Sequence, residues 1–177
     1  MPITLHACSD YLEVAELQVH PIAGGNMGVI FQARALNCQA AALTLAARPA
    51  VVSHLRTLAF DEHLPDQLPW QVAMITSASE AERIADERPH ATWRQALFVP
   101  LTEFSPCGPH CGRYRNPNQM QVVRLVARGD FDADGIEDVL ISSHDAALGG
   151  SYRAGRMLLL TRLEPDGRIE LLQGLGY

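Results

Sequence analysis

Between residues 129 and 141 the chain reads Gly-Asp-Phe-Asp-Ala-Asp-Gly-Ile-Glu-Asp-Val-Leu-Ile. No other segment constrains the fold as tightly. Five acids fall within the nine residues 130–138. Packed so closely, they repel one another unless a counter-ion sits among them. Counted from Asp130, aspartates occupy positions one, three, five and nine, and Gly135 occupies position six. Alternate residues of a tight loop aim their side chains at one point, and position six is where the chain turns sharply. This donor set suits a hard cation with roughly 6–8 oxygen ligands, namely Ca²⁺. The expected ligands are Asp130, Asp132, Asp134 and Asp138, the Ile136 carbonyl and a water. The competing reading is a plain acidic turn. Position twelve is Ile141 rather than Glu, and strand patterning follows. The expectation is therefore a strand–calcium loop–strand site, not a helix–loop–helix hand.

The flanking pattern extends this. Residues 120–128, 139–143, 156–163 and 168–172 read as four strands, with Pro165-Asp166-Gly167 as a hairpin turn. In the N-terminal part, 11–20 and 27–36 read as strands of a hairpin around Gly24-Gly25-Asn26, and 40–48 is ambiguous. Pro49 opens an expected helix to about Phe60. Short strands are expected at 70–76 and 96–101. A second helix is expected from Glu80, capped by Ser79, to just before Pro89. The sum is an α+β fold: an antiparallel sheet with about two helices packed on it. No repeat or linker divides residues 1–177, so they read as a single domain. Residues 1–119 form its mixed N-terminal part, and 120–177 a β-meander carrying the calcium loop.

Composition narrows the function. At 177 residues, with 47% hydrophobic and 19% charged residues, the chain has enough apolar material for a core. The net charge of −6 argues against a nucleic-acid partner. No apolar run approaches the roughly 18 residues of a membrane span. All 14 basic residues are arginines, which excludes lysine Schiff-base and phosphate-loop chemistry. The four cysteines, Cys8, Cys38, Cys107 and Cys111, permit two disulfides. The most economical pairing is Cys107–Cys111 across a turn-rich loop, with Cys8–Cys38. A metal site at Cys107, His110 and Cys111 is the alternative, but it lacks a second ligand pair nearby. The opening residues show no signal peptide. The cysteines and the calcium loop favour a periplasmic location reached with a removed export signal, with the cytoplasm as the alternative.

The loop 129–141, with Gly150-Ser151-Tyr152 and the strand beginning at Arg156 behind it, resembles the calcium loop of FG-GAP or VCBS-type repeats. The resemblance spans residues 120–163, about a quarter of the chain. It implies ligand roles for Asp130, Asp132, Asp134 and Asp138. Propellers built from such repeats need several, and this chain has one. A single loop in a small α+β chain is similar to small bacterial envelope proteins that inhibit cell-wall hydrolases or confer immunity to effectors.

Other constellations are weaker. Ser142-Ser143-His144-Asp145 has triad residue types, but neighbours on a strand point to opposite faces and cannot form a relay. Arg113-Tyr114-Arg115 is expected in an exposed loop, and with Tyr152 supplies residue types enriched at interface anchors. The resulting expectation is a non-enzymatic calcium-binding protein of the bacterial envelope. It would bind and neutralise a protein partner, either a toxin or effector or a cell-wall hydrolase, through Arg113, Tyr114, Arg115 and Tyr152. The alternatives are a calcium-dependent hydrolase using Glu137, His144 or Asp145, and a surface adhesion module.

Overall fold

A computed structural model describes residues 5–13 and 27–176. Six strands form one antiparallel sheet in the order β1-β2-β3-β4-β5-β6. They are β1 (Glu103–Gly108), β2 (Cys111–Arg115), β3 (Gln119–Gly129), β4 (Asp138–Ala147), β5 (Arg153–Thr161) and β6 (Glu170–Gly176). The helices among the described residues are α1 (Cys8–Glu13), α2 (Met27–Ala46), α3 (Leu64–Gln67), α4 (Ala78–Glu87) and α5 (Trp93–Ala96). The α+β reading holds, and two helices exceed six residues, α2 and α4.

The meander follows from short hairpin links and the alternation of side chains. On β3 and β4, Val123, Val139 and Ile141 point to one face, and Leu140 to the other. Each face has its own cover. The first packs on segment 55–101, whose Leu55, Leu64, Leu68, Val72, Ile84 and Trp93 are fully buried. A fully buried side chain of this size stabilises by roughly 1.5–3 kcal/mol. The second face receives α2, where Leu36 and Ala40 meet Leu140, Met157 and Leu159. Because β4 is covered on both sides, its burial is nearly continuous rather than alternating.

Both disulfides form in the expected pairs. Cys8–Cys38 ties α1 to α2, and Cys107–Cys111 staples the turn between β1 and β2. With Cys107 and Cys111 bonded to each other, the three-residue metal site at that turn is excluded.

The N-terminal part departs from the sequence reading. Residues 11–13 and 27–36 are helical, within α1 and α2, where strands were expected, and the ambiguous 40–48 is helical to Ala46, while residues 14–20 and the Gly24–Asn26 turn lie outside the described residues. Residues 27–46 are rich in Ala and Leu, strong helix formers, and the strand formers are mainly the short run Val29-Ile30-Phe31. Residues 49–60 are irregular rather than helical: Val51 and Val52 bond to the acidic loop, and Leu58 donates only to Leu55. Residues 70–72 form a 3₁₀ turn, and 93–96 a helical turn with a Thr92–Gln95 capping box. The 80–88 helix is present but begins two residues earlier, with Ser77 rather than Ser79 accepting from the Glu80 amide at 3.4 Å. The segment 103–115 is a hairpin, not a loop. Gly112 there is required by its neighbour: a Cβ would sit 2.5 Å from the Tyr114 hydroxyl oxygen.

Candidate metal centre

The acidic loop leaves β3 at Gly129 and enters β4 at Asp138. Its inner bonds come from aspartate side chains folding the backbone around themselves. Asp130 accepts from the amides of Ala133 at 2.7 Å and Gly135 at 3.1 Å. Asp132 accepts from the Asp134 amide, and Asp134 from the Ile136 amide. Asp138 reaches back to the Phe131 amide at 3.0 Å. Two residues take the left-handed conformation this winding demands, Ala133 (φ 69°) and Gly135 (φ 85°). Gly135 adopts it at no steric cost, while Ala133 is held there by its bond to Asp130.

The outer side of the loop is clamped to residues 48–53. Arg48 and Asp130 exchange both backbone bonds, at 2.8 and 2.9 Å. The Gly135 carbonyl accepts from the amides of Val51 and Val52, and Glu137 donates its amide to the Val52 carbonyl at 2.7 Å. The fifth acid is accounted for separately. Glu137 accepts from Ser53 and pairs with Arg128 at 2.7 Å.

The structure brings three of the expected ligands together: carboxylate oxygens of Asp130, Asp132 and Asp138 all lie within 4.8 Å of one another. Asp134 stands outside that group, with one oxygen on the Ile136 amide at 2.7 Å. Ile136 is held beside the group by its backbone bridge to Val52. Among the described residues, no cationic side chain lies within ion-pair distance of Asp130, Asp132, Asp134 or Asp138.

Asp138 is the informative member. It is fully buried, and its Oδ1 has no hydrogen-bond partner. Burial pushes its carboxyl above the usual carboxylate range. The Phe131 amide pulls the other way, as does the nearby Thr161 hydroxyl, itself without a hydrogen-bond partner, while the charges of Asp132 and Asp134 add to the upward push. A buried carboxylate oxygen left unpaired costs several kcal/mol unless it is protonated or meets a cation. Hard carboxylate oxygens suit calcium, and a buried orphan beside two more carboxylates is the feature a cation would satisfy. The three carboxylates therefore form a group able to hold a metal ion.

The triad-like run is divided by the strand, as its spacing requires. Ser142 and His144 face α2, and Ser143 and Asp145 face the opposite core. Ser143 donates to Asp145, whose other oxygen meets Arg156 at 2.8 Å. The fully buried Gln121 donates to Asp145 and the Val72 carbonyl, and accepts from the Met74 amide. Arg156 donates to the carbonyls of Gln71, Val72 and Ala73. This cluster spends its donors on fastening segment 71–74 to the sheet. Glu137 is held by Arg128 and His144 lies on the other face, so the three acid–base candidates do not converge. Neither Gln121 nor Arg156 was singled out in the sequence. The sequence carried no distinguishing signal, since β3 also holds Gln119, Arg124 and Arg128, and β5 also holds Arg153.

Of the four expected partner-binding residues, Arg113, Arg115 and Tyr152 are exposed. Tyr114 is not. It is 1% exposed, packs edge-on against Trp93 at 4.8 Å and donates to the Asp61 carbonyl at 2.7 Å. Strand alternation turns it inward between two outward arginines, so it belongs to the core and not to an interface.

Comparison with protein-family models, with curated proteins and with solved structures found no match to this chain.

Proposed function

We propose that the loop binds one Ca²⁺ in a structural site, and that the protein is a non-enzymatic binding domain of an oxidising compartment, the periplasm. The observation that carries the metal is the orphaned, fully buried Asp138 oxygen within 4.8 Å of oxygens from Asp130 and Asp132. In this reading Asp134 and the Ile136 carbonyl complete the shell with water, in the manner of the FG-GAP and VCBS loops the sequence resembles. The ion neutralises the aspartates and locks residues 48–53, which depend on the loop's backbone for their own bonds. Two disulfides suit the oxidising compartment.

The binding role is supported by what the polar groups do. Ser143, Asp145 and Glu137 are committed to structural contacts, while arginines and Tyr152 face outward. The partner is a protein, a toxin or effector or a cell-wall hydrolase, whose activity the domain blocks. Thermal melts in calcium and in chelator, for wild type and Asp132→Ala, test the metal. An ion at 100 times its dissociation constant adds about 2.7 kcal/mol, so wild type melts several degrees higher in calcium and Asp132→Ala does not respond. Equal wild-type melts would remove the site. Inhibition of a captured hydrolase or toxin, lost on chelation, supports the binding role. Substrate turnover that disappears in His144→Ala would replace it with the enzymatic reading.

A further inference from the structure

We propose that the cleft between α2 and the outer sheet face binds a small amphiphile with an apolar chain and a carboxylate head. The cleft has a volume of about 680 Å³, within the range of small-molecule sites. Ala40, Ala41 and Leu45 of α2 form one wall, and Val122, Val126 and Met157 form the sheet side. Leu45 is 87% exposed and Val126 42%, so apolar surface stands open to solvent along the cleft. Its ionisable lining residues are Arg124 and His144, and no acid lines it. That is unusual in a chain of net charge −6. Register brings the two together: Arg124 pairs with Ser142 and Val122 with His144, so Arg124 and His144 are diagonal neighbours on one face. Arg113, opposite Val122, adds a second arginine on the same face. Arg124 makes no ion pair among the described residues.

An apolar trough with an unpaired arginine at its polar side fits an alkyl chain lying along Leu45, Val126 and Met157, with its carboxylate at Arg124. A carboxylate takes charge-assisted bonds from that exposed guanidinium, whereas a cationic head is repelled by it. The proposal does not depend on calcium, since none of the loop aspartates lines the cleft.

Calorimetric titration with sodium decanoate below its micelle concentration tests it, with decyltrimethylammonium as the charge-reversed probe. Wild type should bind decanoate in the submillimolar range and the cation at least tenfold more weakly. Arg124→Gln should weaken decanoate about tenfold or more, the scale of one hydrogen bond to a charged group. Ala41→Trp, a substitution at an exposed helix position, should fill the cleft and abolish binding with the far-UV spectrum unchanged. Absence of decanoate binding to folded wild type would overturn the proposal. So would equal binding of the two probes, or undiminished binding to folded Arg124→Gln.

Discussion

Replacing Arg156 by Met tests whether the Ser143–Asp145 pair is architecture or chemistry. In the native chain Arg156 meets Asp145 at 2.8 Å and holds three carbonyls of segment 71–73. The Asp145 side chain is 1% exposed, so removing its partner strands a buried charge. Breaking such a pair from one side costs about 3–5 kcal/mol. Asp145 keeps its hydrogen bonds from Ser143 and Gln121, so the lower half of that range applies. For a chain of this size each kcal/mol lowers Tm by about 2–4 °C, giving a fall of roughly 6–16 °C. The double variant Arg156→Met with Asp145→Asn removes the stranded charge and should recover part of the loss, a non-additivity that directly coupled groups show. Calorimetric melts at neutral pH read both numbers. A change of Tm below 2 °C in the single variant, or strict additivity in the double, would refute the assignment of this cluster to docking segment 71–74.

Two further outcomes follow from the core and the cysteines. Burial, reinforced by the Asp61 charge and opposed by that of Arg94, raises the Tyr114 hydroxyl far above its ordinary pKa. The stability this proton confers is complete below the unfolded tyrosine value of about 10. Above it stability falls, because the unfolded chain ionises first, at up to about 1.4 kcal/mol per pH unit. Tyr114→Phe should therefore cost about 1 kcal/mol at neutral pH for the bond to Asp61, yet flatten the alkaline limb of a denaturant titration. An unchanged alkaline limb would contradict the buried position. Alkylation and mass measurement on unreduced protein should find no free thiol among the four cysteines, and reduction of Cys8–Cys38 should cost about 3–4 kcal/mol by loop entropy. Labelling of all four without reductant would reject the bonded pairs.

The C-terminal half was legible because its signals are local. Strand alternation, Pro165-Asp166-Gly167 and the aspartate spacing each act over a few residues, and the meander joins neighbours in order. Residues 49–60 were not legible. Pro49 and the spacing of Val52, Leu55 and Ala59 suggested a helix, but Val51 and Val52 bond to Gly135, more than eighty residues away. Tertiary partners overrode local preference there. Tyr114 was misplaced because Cys, Gly and Pro nearby suggested a loop. Once the hairpin is known, alternation puts Arg113 and Arg115 outside and Tyr114 inside. The aspartates at positions one, three and nine were readable as a group, and the burial of Asp138 was not, since it depends on β5 and the layers packed around it.

The proposed calcium site is tested most directly by calorimetric titration of Ca²⁺ into chelator-stripped protein at neutral pH, beside the Asp138→Asn variant. The account predicts one ion per wild-type chain. Asp138→Asn should keep the fold, since it removes a buried charge, and lose most of the affinity. Absence of calcium heat with no metal retained on purification, or equal affinity in Asp138→Asn, would contradict it.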